Sequence, residues 1–365
     1  MFTNKRILIT GGTGSWGNEL VTQILKLHAP KEIIIYSRGE IKQVEMRRTF
    51  NNHPKLKFVI GDVRSYTRLN EAMKGVHYVF HLAALKHVPV CETNPWEAVL
   101  TNIYGTENVI RAAIENNVIK VIDISSDKAV DPLNVYGVTK SCGEKLTIAA
   151  NLETTMTMFV CIRGGNVIGT NGSAIPLFRE QILRSNELTL TDKRMTRYLF
   201  SLRHAIGLIF RATEISVGGE IFVMKMPAAK MIDVAQVMID ELGNHHTKIK
   251  NIGIRPGEKI HEVLVSRYEA DRVIEHGNYF IILPYYKNEK LLEKYKKAKF
   301  IKLEEYTSEN ANRLDKENIK DLLKEENWLS ADLREQKSFI SNLTKKELIE
   351  FFSREGWIQS IKKKN

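Results

Sequence analysis

The chain has 365 residues, 43% hydrophobic and 27% charged, which excludes a disordered chain, a collagen and a disulfide-knotted peptide. Lys and Arg number 54 against 43 Asp and Glu, and the net charge of +11 points to a polyanionic partner: nucleic acid, a membrane surface or a phosphorylated small molecule. Cys91, Cys142 and Cys161 form no Cys-x-x-Cys pair, and no apolar run reaches the roughly 18 residues of a membrane span, so a soluble cytoplasmic protein is expected.

Continuous apolar runs at 6–10, 33–36, 56–60, 78–82, 121–125 and 158–163 predict strands buried on both faces. Amphipathic patterns such as 16–27 and 95–116 predict helices between them. This alternation defines an α/β class, a Rossmann-type doubly wound parallel sheet with a smaller α/β substrate-binding lobe. From about Gly172 the rhythm breaks, with strands at 187–191 and 220–224 among helices. The expected division is 1–171 for a dinucleotide-binding domain carrying the reactive residues, 172–329 mainly for a substrate lobe, and 330–365 for a charged helical extension. Residues 316–326 and 344–352 read as surface helices, and 361–364 as a frayed tail. Trp328, Phe351, Phe352 and Trp357 are the groups able to pack the extension onto the core or a second subunit.

The first strand runs into Gly11-Gly12-Thr13-Gly14-Ser15-Trp16-Gly17 and then a helix. Gly11, Gly14 and Gly17 follow a G-x-x-G-x-x-G spacing, and at a first strand-to-helix junction such a turn brings backbone N–H groups to a pyrophosphate. A plain tight turn is the alternative. The second strand ends Tyr36-Ser37-Arg38, with no acid for a ribose 2′-OH. Arg38, with Ser37 and Lys42, suits a 2′-phosphate, which favours NADP over NAD; otherwise Arg38 is a solvated loop cation. Asp62 and Val63 close the third strand, where Asp62 either reaches the adenine amine or caps the next helix.

Ser125-Ser126-Asp127-Lys128 follows the fifth strand, and Tyr136 and Lys140 stand four apart on one helix face. An ammonium near a phenol favours the phenolate, which takes a proton from a sugar hydroxyl while hydride leaves the same carbon. Over nearly all of residues 5–325 the chain resembles the extended short-chain dehydrogenase/reductases that modify nucleotide sugars. The segments 81–89 (HLAALKHVP), Asp127-Lys128-Ala129, Gly165-Asn166-Val167, Met195-Thr196-Arg197 and Arg255-Pro256-Gly257-Glu258-Lys259 are similar to the UDP-N-acetylglucosamine 4,6-dehydratases, most of all the soluble C5-inverting branch.

The resemblance implies Lys128 as the base at C5 and Asp127 as the acid at the C6 oxygen, with Tyr136, Lys140 and Ser126 completing the reacting group. Ser126 stands where Thr is usual and keeps the hydroxyl. It implies Ala83, Ala84 and Lys86 near the nicotinamide, and Lys86, Asn166, Arg197, Arg255 and Glu258 around a UDP-sugar such as UDP-GlcNAc. Burial pushes a lysine and an aspartate toward the neutral forms this chemistry requires, and their mutual attraction opposes it. Taken alone, Asp127-Lys128 is an ordinary ion pair, and Arg197 and Arg255 are ordinary surface cations. Gly164 departs from the family, which has an aromatic there, and Trp16 stands where Phe is usual. No catalytic metal, nucleic acid or membrane insertion is expected, and a homo-oligomer is. The competing readings are the 5-epimerase/4,6-dehydratase of the N-acetyl-L-fucosamine pathway, a UDP-sugar 4-epimerase, and a non-catalytic dinucleotide sensor.

Overall fold

The computed structural model describes residues 1–170, 173–331 and 343–357; the 361–364 tail lies outside the described residues. The six apolar runs form β1 (Arg6–Thr10), β2 (Glu32–Ser37), β3 (Leu56–Ile60), β4 (Tyr78–His81), β5 (Lys120–Ser126) and β6 (Met158–Gly164). They pair in parallel in the order β3-β2-β1-β4-β5-β6. Successive side chains of β1 alternate between faces. Ile7 and Ile9 pack under helix Ser15–Leu27, while Leu8 joins Val63 and Val109 on the other side. The strand order reverses between β1 and β4, which opens a crevice at their carboxyl ends.

The chain then leaves through β7 (Glu187–Leu190) and β8 (Thr196–Tyr198) and returns as β9 (Ile221–Met224). β10 (Ala228–Lys230) pairs with β8, and β11 (Lys248–Asn251) with β7. β12 (Val263–Val265) pairs with β15 (Tyr306–Thr307), and between them β13 (Val273–His276) and β14 (Tyr279–Ile282) extend the main sheet to nine strands. The strand expected at 220–224 therefore lies beside β6, in parallel, and not in the smaller lobe. Its apolar residues are buried on both faces like those of β1; the regular alternation fails only because the next additions are an antiparallel hairpin. A boundary at 171 thus follows chain order more than space. The smaller lobe keeps its own core, where Ile175, Phe178, Leu188, Val234 and Trp328 meet.

The C-terminal helix Lys345–Arg354 docks on the core. Thr344 and Glu347 form a reciprocal capping box at its start. Phe352 and Trp357 are buried, and Phe352 presses so close to Gly207 of helix Leu202–Ile215 that a Cβ there would lie 2.9 Å away.

Three histidines make the fold sensitive to acid. Burial pulls His28, His81 and His204 down to about 4. His204 meets the Phe351 ring edge to face, and the Glu355 carboxylate 3.8 Å away pulls the other way without prevailing. An unfolded histidine titrates near 6.5, so between 6.5 and 4 the unfolded chain binds protons that the folded chain excludes. Stability is expected to be at its full value above pH 6.5 and to fall on the order of a few kcal/mol toward pH 4. Urea midpoints at pH 7.5 and 4.5 check this, and equal midpoints would contradict it.

Candidate active site

The glycine turn is built for close approach. Gly11 has φ +64°, and a Cβ on it would lie 2.9 Å from the backbone of Ala83. A Cβ on Gly17 would lie 2.1 Å from the carbonyl oxygen of Gly12. Gly14 caps helix Ser15–Leu27 with no side-chain hydrogen bond, so the first N–H groups stay open to an anion. These features form a cradle suited to a dinucleotide pyrophosphate, with Thr13, Ser15, Trp16, Ala83 and Ala84 around it. Two of the departures from the family pattern, Trp16 and Gly164, meet here. The Trp16 ring comes within 3.5 Å of where a Gly164 Cβ would sit, beside Phe200, so the indole fills the room that an aromatic at 164 would take.

At the tip of β2, Ser37 is buried against Gln43, while Arg38 is half exposed and 3.9 Å from Asp62. Asp62 accepts two bonds from the guanidinium of Arg64, and these hold its carboxyl below the usual range against the pull of burial. The next helix is capped at Ser65, not at Asp62. Lys42 is exposed on helix Glu40–Thr49, and Val63 is buried under Gly105.

The helix expected at 95–116 is three segments, Pro95–Val99, a π-turn over Leu100–Tyr104, and Gly105–Glu115. The π-turn carries Asn102, which bonds both the N–H and the C=O of Leu85 and the Thr139 hydroxyl. The segment bearing Ala83, Ala84 and Lys86 is thereby fixed against helix Val135–Ala149.

That helix starts at Asn134, whose side chain accepts from the Gly137 N–H and donates to the Gly257 carbonyl. Tyr136 and Lys140 are buried on one face. Lys140 Nζ lies 3.5 Å from Asp123 on β5. Burial raises the Tyr136 phenol; Lys140, Ser126 and Lys128 pull it down but do not prevail. The lowered phenol expected from the Tyr-Lys spacing is therefore not found in the free chain, because burial outweighs the pull of Lys140.

Ser126 donates to Asp127 at 2.7 Å, and Lys128 Nζ lies 3.2 Å from the same carboxylate. Asp127 is 1% exposed, and burial raises it despite Lys128. Lys128 goes opposite to the expectation of a neutral amine: Asp127 and Glu262 together outweigh desolvation and raise it. Glu262 is the group the sequence reading missed. Its Oε1 lies 3.4 Å from both Lys128 Nζ and Arg197 Nε. Its one sequence signal is a carboxylate entering the buried strand β12.

Lys86, Asn134, Asn166, Arg197, Arg255, Glu258 and Glu262 line a cavity of about 380 Å³ with Lys128. Asn166 Oδ1, Ser173 Oγ and Glu262 Oε2 on its wall are buried and have no hydrogen-bond partner among the described residues. Arg197 is no surface cation: it donates to the carbonyls of Thr196, Ile260 and Lys259 and fixes the 255–259 turn. Arg255 stays half exposed at the mouth, 3.8 Å from Glu258.

Residues 7–284 match the polysaccharide biosynthesis protein family. The chain is 46% identical over 342 residues to a UDP-glucose 4-epimerase of Rickettsia bellii, covering 92% of this chain and 99% of that one. It is 40% identical to the X-ray structure of Pen from Bacillus thuringiensis, with TM-score 0.82 over 89% of this chain and 99% of that chain. The dTDP-glucose 4,6-dehydratase DesIV of Streptomyces venezuelae, solved with NAD and TYD bound, shares the fold at 22% identity and TM-score 0.63, over 70% of this chain and 86% of that chain. Among the described residues no helix is long and apolar enough to cross a membrane. The chain belongs to the polysaccharide biosynthesis protein family, on a Rossmann-type α/β fold.

Proposed function

We propose that this chain is an NADP-dependent UDP-N-acetylglucosamine 4,6-dehydratase that inverts C5, acting in the cytoplasm as a homo-oligomer. The observation that carries the reading is the pair of buried Asp127 and partly exposed Lys128, 3.2 Å apart, with Lys128 on the wall of a cavity that also holds Arg197 and Arg255. A 4-epimerase needs only a base for the C4 hydroxyl. A dehydratase also needs a base at C5 and an acid for the leaving oxygen, and Asp127, raised by burial, suits the acid.

The glycine turn and Arg38 would hold the dinucleotide, which when bound takes hydride from C4 and returns it to C6. Tyr136, once deprotonated beside Lys140, would take the O4 proton; Lys128, once its own proton has passed to Asp127, would take the C5 proton, and Asp127 would give the proton it received to the C6 oxygen as the C6–O bond breaks and water leaves. Arg255 pairs with the diphosphate, and Glu258 accepts from ribose hydroxyls. The names of the Rickettsia relatives favour a second reading, a UDP-sugar 4-epimerase.

Incubation with UDP-GlcNAc in deuterated water separates the two. A 4-keto product with a C6 methyl group and deuterium at inverted C5 supports the dehydratase; a C4 epimer with the C5 hydrogen retained supports the epimerase. Run with each cofactor, the same assay is expected to show a lower Michaelis constant for NADP, and equal values would remove the role given to Arg38.

A further inference from the structure

We propose that Asp123, a carboxylate in the middle of β5, is a positioning residue for oxidation at C4: it keeps Lys140 an ammonium beside Tyr136. The inference rests on the C4 oxidation that the dehydratase and 4-epimerase readings share.

Asp123 is the polar residue inside the apolar run of β5. It is 1% exposed, and a carboxylate there is costly unless a cation and hydrogen bonds meet it. Both its oxygens are met: Oδ1 lies 3.5 Å from Lys140 Nζ, and Oδ2 accepts from the Cys161 thiol at 4.0 Å. The neighbouring elements supply the other titratable groups. His81 stands opposite on β4, with its ring already bonded to the Thr10 and Thr106 hydroxyls. Burial lowers it to about 4, so it brings no charge near pH 7. Cys161 stands opposite on β6, and burial holds it as the thiol. Glu144, one turn beyond Lys140 on the same helix, is bound by Arg163 from β6. Lys140 and Asp123 are thus left to pair with each other.

The pairing decides the charge that Tyr136 meets. Lys140 is 3% exposed, and burial by itself drives an amine toward its neutral form. Asp123 is the largest influence against burial, Tyr136 and Cys161 add to it, and together they raise Lys140. Tyr136 is raised by burial too, and Lys140 leads the groups that pull it down. A neutral Lys140 would leave the phenolate without its nearest cation. In the oxidation Tyr136 first gives its phenol proton to water. The O4–H bond then breaks and its proton joins the phenolate, while the C4–H bond breaks and its hydride passes to the dinucleotide. Lys140 and Asp123 exchange no proton in these steps. An apolar pair at the two positions would fasten helix to strand as well, so stability alone does not call for the carboxylate.

The test is NMR of the full chain labelled at lysine Cε, with the Lys140 signal assigned by its loss in Lys140→Met. Its titration midpoint is expected to fall in Asp123→Asn. With NADP and UDP-GlcNAc, that variant should show kcat lower by about tenfold to a hundredfold, KM within about twofold, and an alkaline limb moved to lower pH. The isotope effect of deuterium at C4 should grow, because the slowed step is the oxidation. Asp123→Glu should restore part of each. A Lys140 midpoint unmoved in Asp123→Asn overturns the proposal. Should that variant not fold, the wild type decides: a neutral-amine signal for Lys140 at pH 9 overturns it, and an ammonium signal supports it. If no UDP-sugar is turned over, the two enzyme readings fail, while the Lys140 signal still decides whether Asp123 holds its charge.

Discussion

Lys128→Ala is expected to stop dehydration while leaving the first oxidation intact. Mixed with UDP-GlcNAc, the variant should convert C4 to a ketone and accumulate reduced cofactor, with turnover to the 4-keto-6-deoxy sugar down by about 10²–10⁴-fold. The oxidation uses Tyr136 and Lys140 on helix Val135–Ala149, whereas Lys128 stands on the turn after β5. The substitution also leaves Asp127 and Glu262 facing each other in a buried site, where like charges force at least one to take a proton. The fold tolerates that, because protonation neutralises the repulsion. Lys128→Met, which keeps most of the volume, should behave alike. Were either variant to retain full turnover, the C5 proton would have to leave by another amine, and Lys86 is the one on the same cavity wall. An epimerase would be indifferent to both substitutions, so the result also weighs the two readings.

The parts of this site differ in how far the chain order reveals them. Five of the six strands are legible because a strand buried on both faces must be a short continuous apolar run, and β1, β2, β4, β5 and β6 are such runs; β3, expected to be buried on both faces, is instead the edge strand, with Lys57 and Ile60 exposed. The glycine turn and the Tyr136–Lys140 face are legible for the same local reason: their partners lie within a few residues. Glu262, Asp123 and Asn102 are not. Each acts through a group on another element: Lys128 for Glu262, Lys140 for Asp123, Leu85 and Thr139 for Asn102. A local pattern shows only a carboxylate or an amide near a strand or within a helix. The same holds for Trp16 and Gly164, two separate oddities in sequence that become one packing solution in space. Charge states are least legible of all. The spacing of Tyr136 and Lys140 suggests a lowered phenol, but the depth of burial, with the Asp127 carboxylate adding to it, reverses the balance.

Arg163→Met is expected to cost about 3–5 kcal/mol of stability, because it removes the single cation between two carboxylates, Glu144 buried and Glu269 partly so. Arg163 on β6 is 3% exposed; it bonds both oxygens of Glu144, from helix Val135–Ala149, and both oxygens of Glu269, from the loop after β12. It also donates to the Leu264 carbonyl. One guanidinium thus fastens the main sheet, the helix bearing Tyr136, and the strand that Glu262 enters. Its charge pulls Glu269 below the usual carboxylate range against the penalty of burial. Without it both carboxylates must either stay buried and unpaired or take up protons. The loss should therefore be larger at pH 8 than at pH 5.5, where protonation relieves the repulsion, in contrast to the wild type, whose buried histidines weaken it toward acid. Urea unfolding at the two pH values measures this. Glu144→Gln with Glu269→Gln in the Arg163→Met background should recover part of the stability and flatten the pH dependence, since what remains is lost packing and hydrogen bonding and not an uncompensated charge. A single variant as stable as wild type at pH 8 would mean that the three groups carry no net ionic coupling, and that the two parts of the chain are held together by their apolar cores alone.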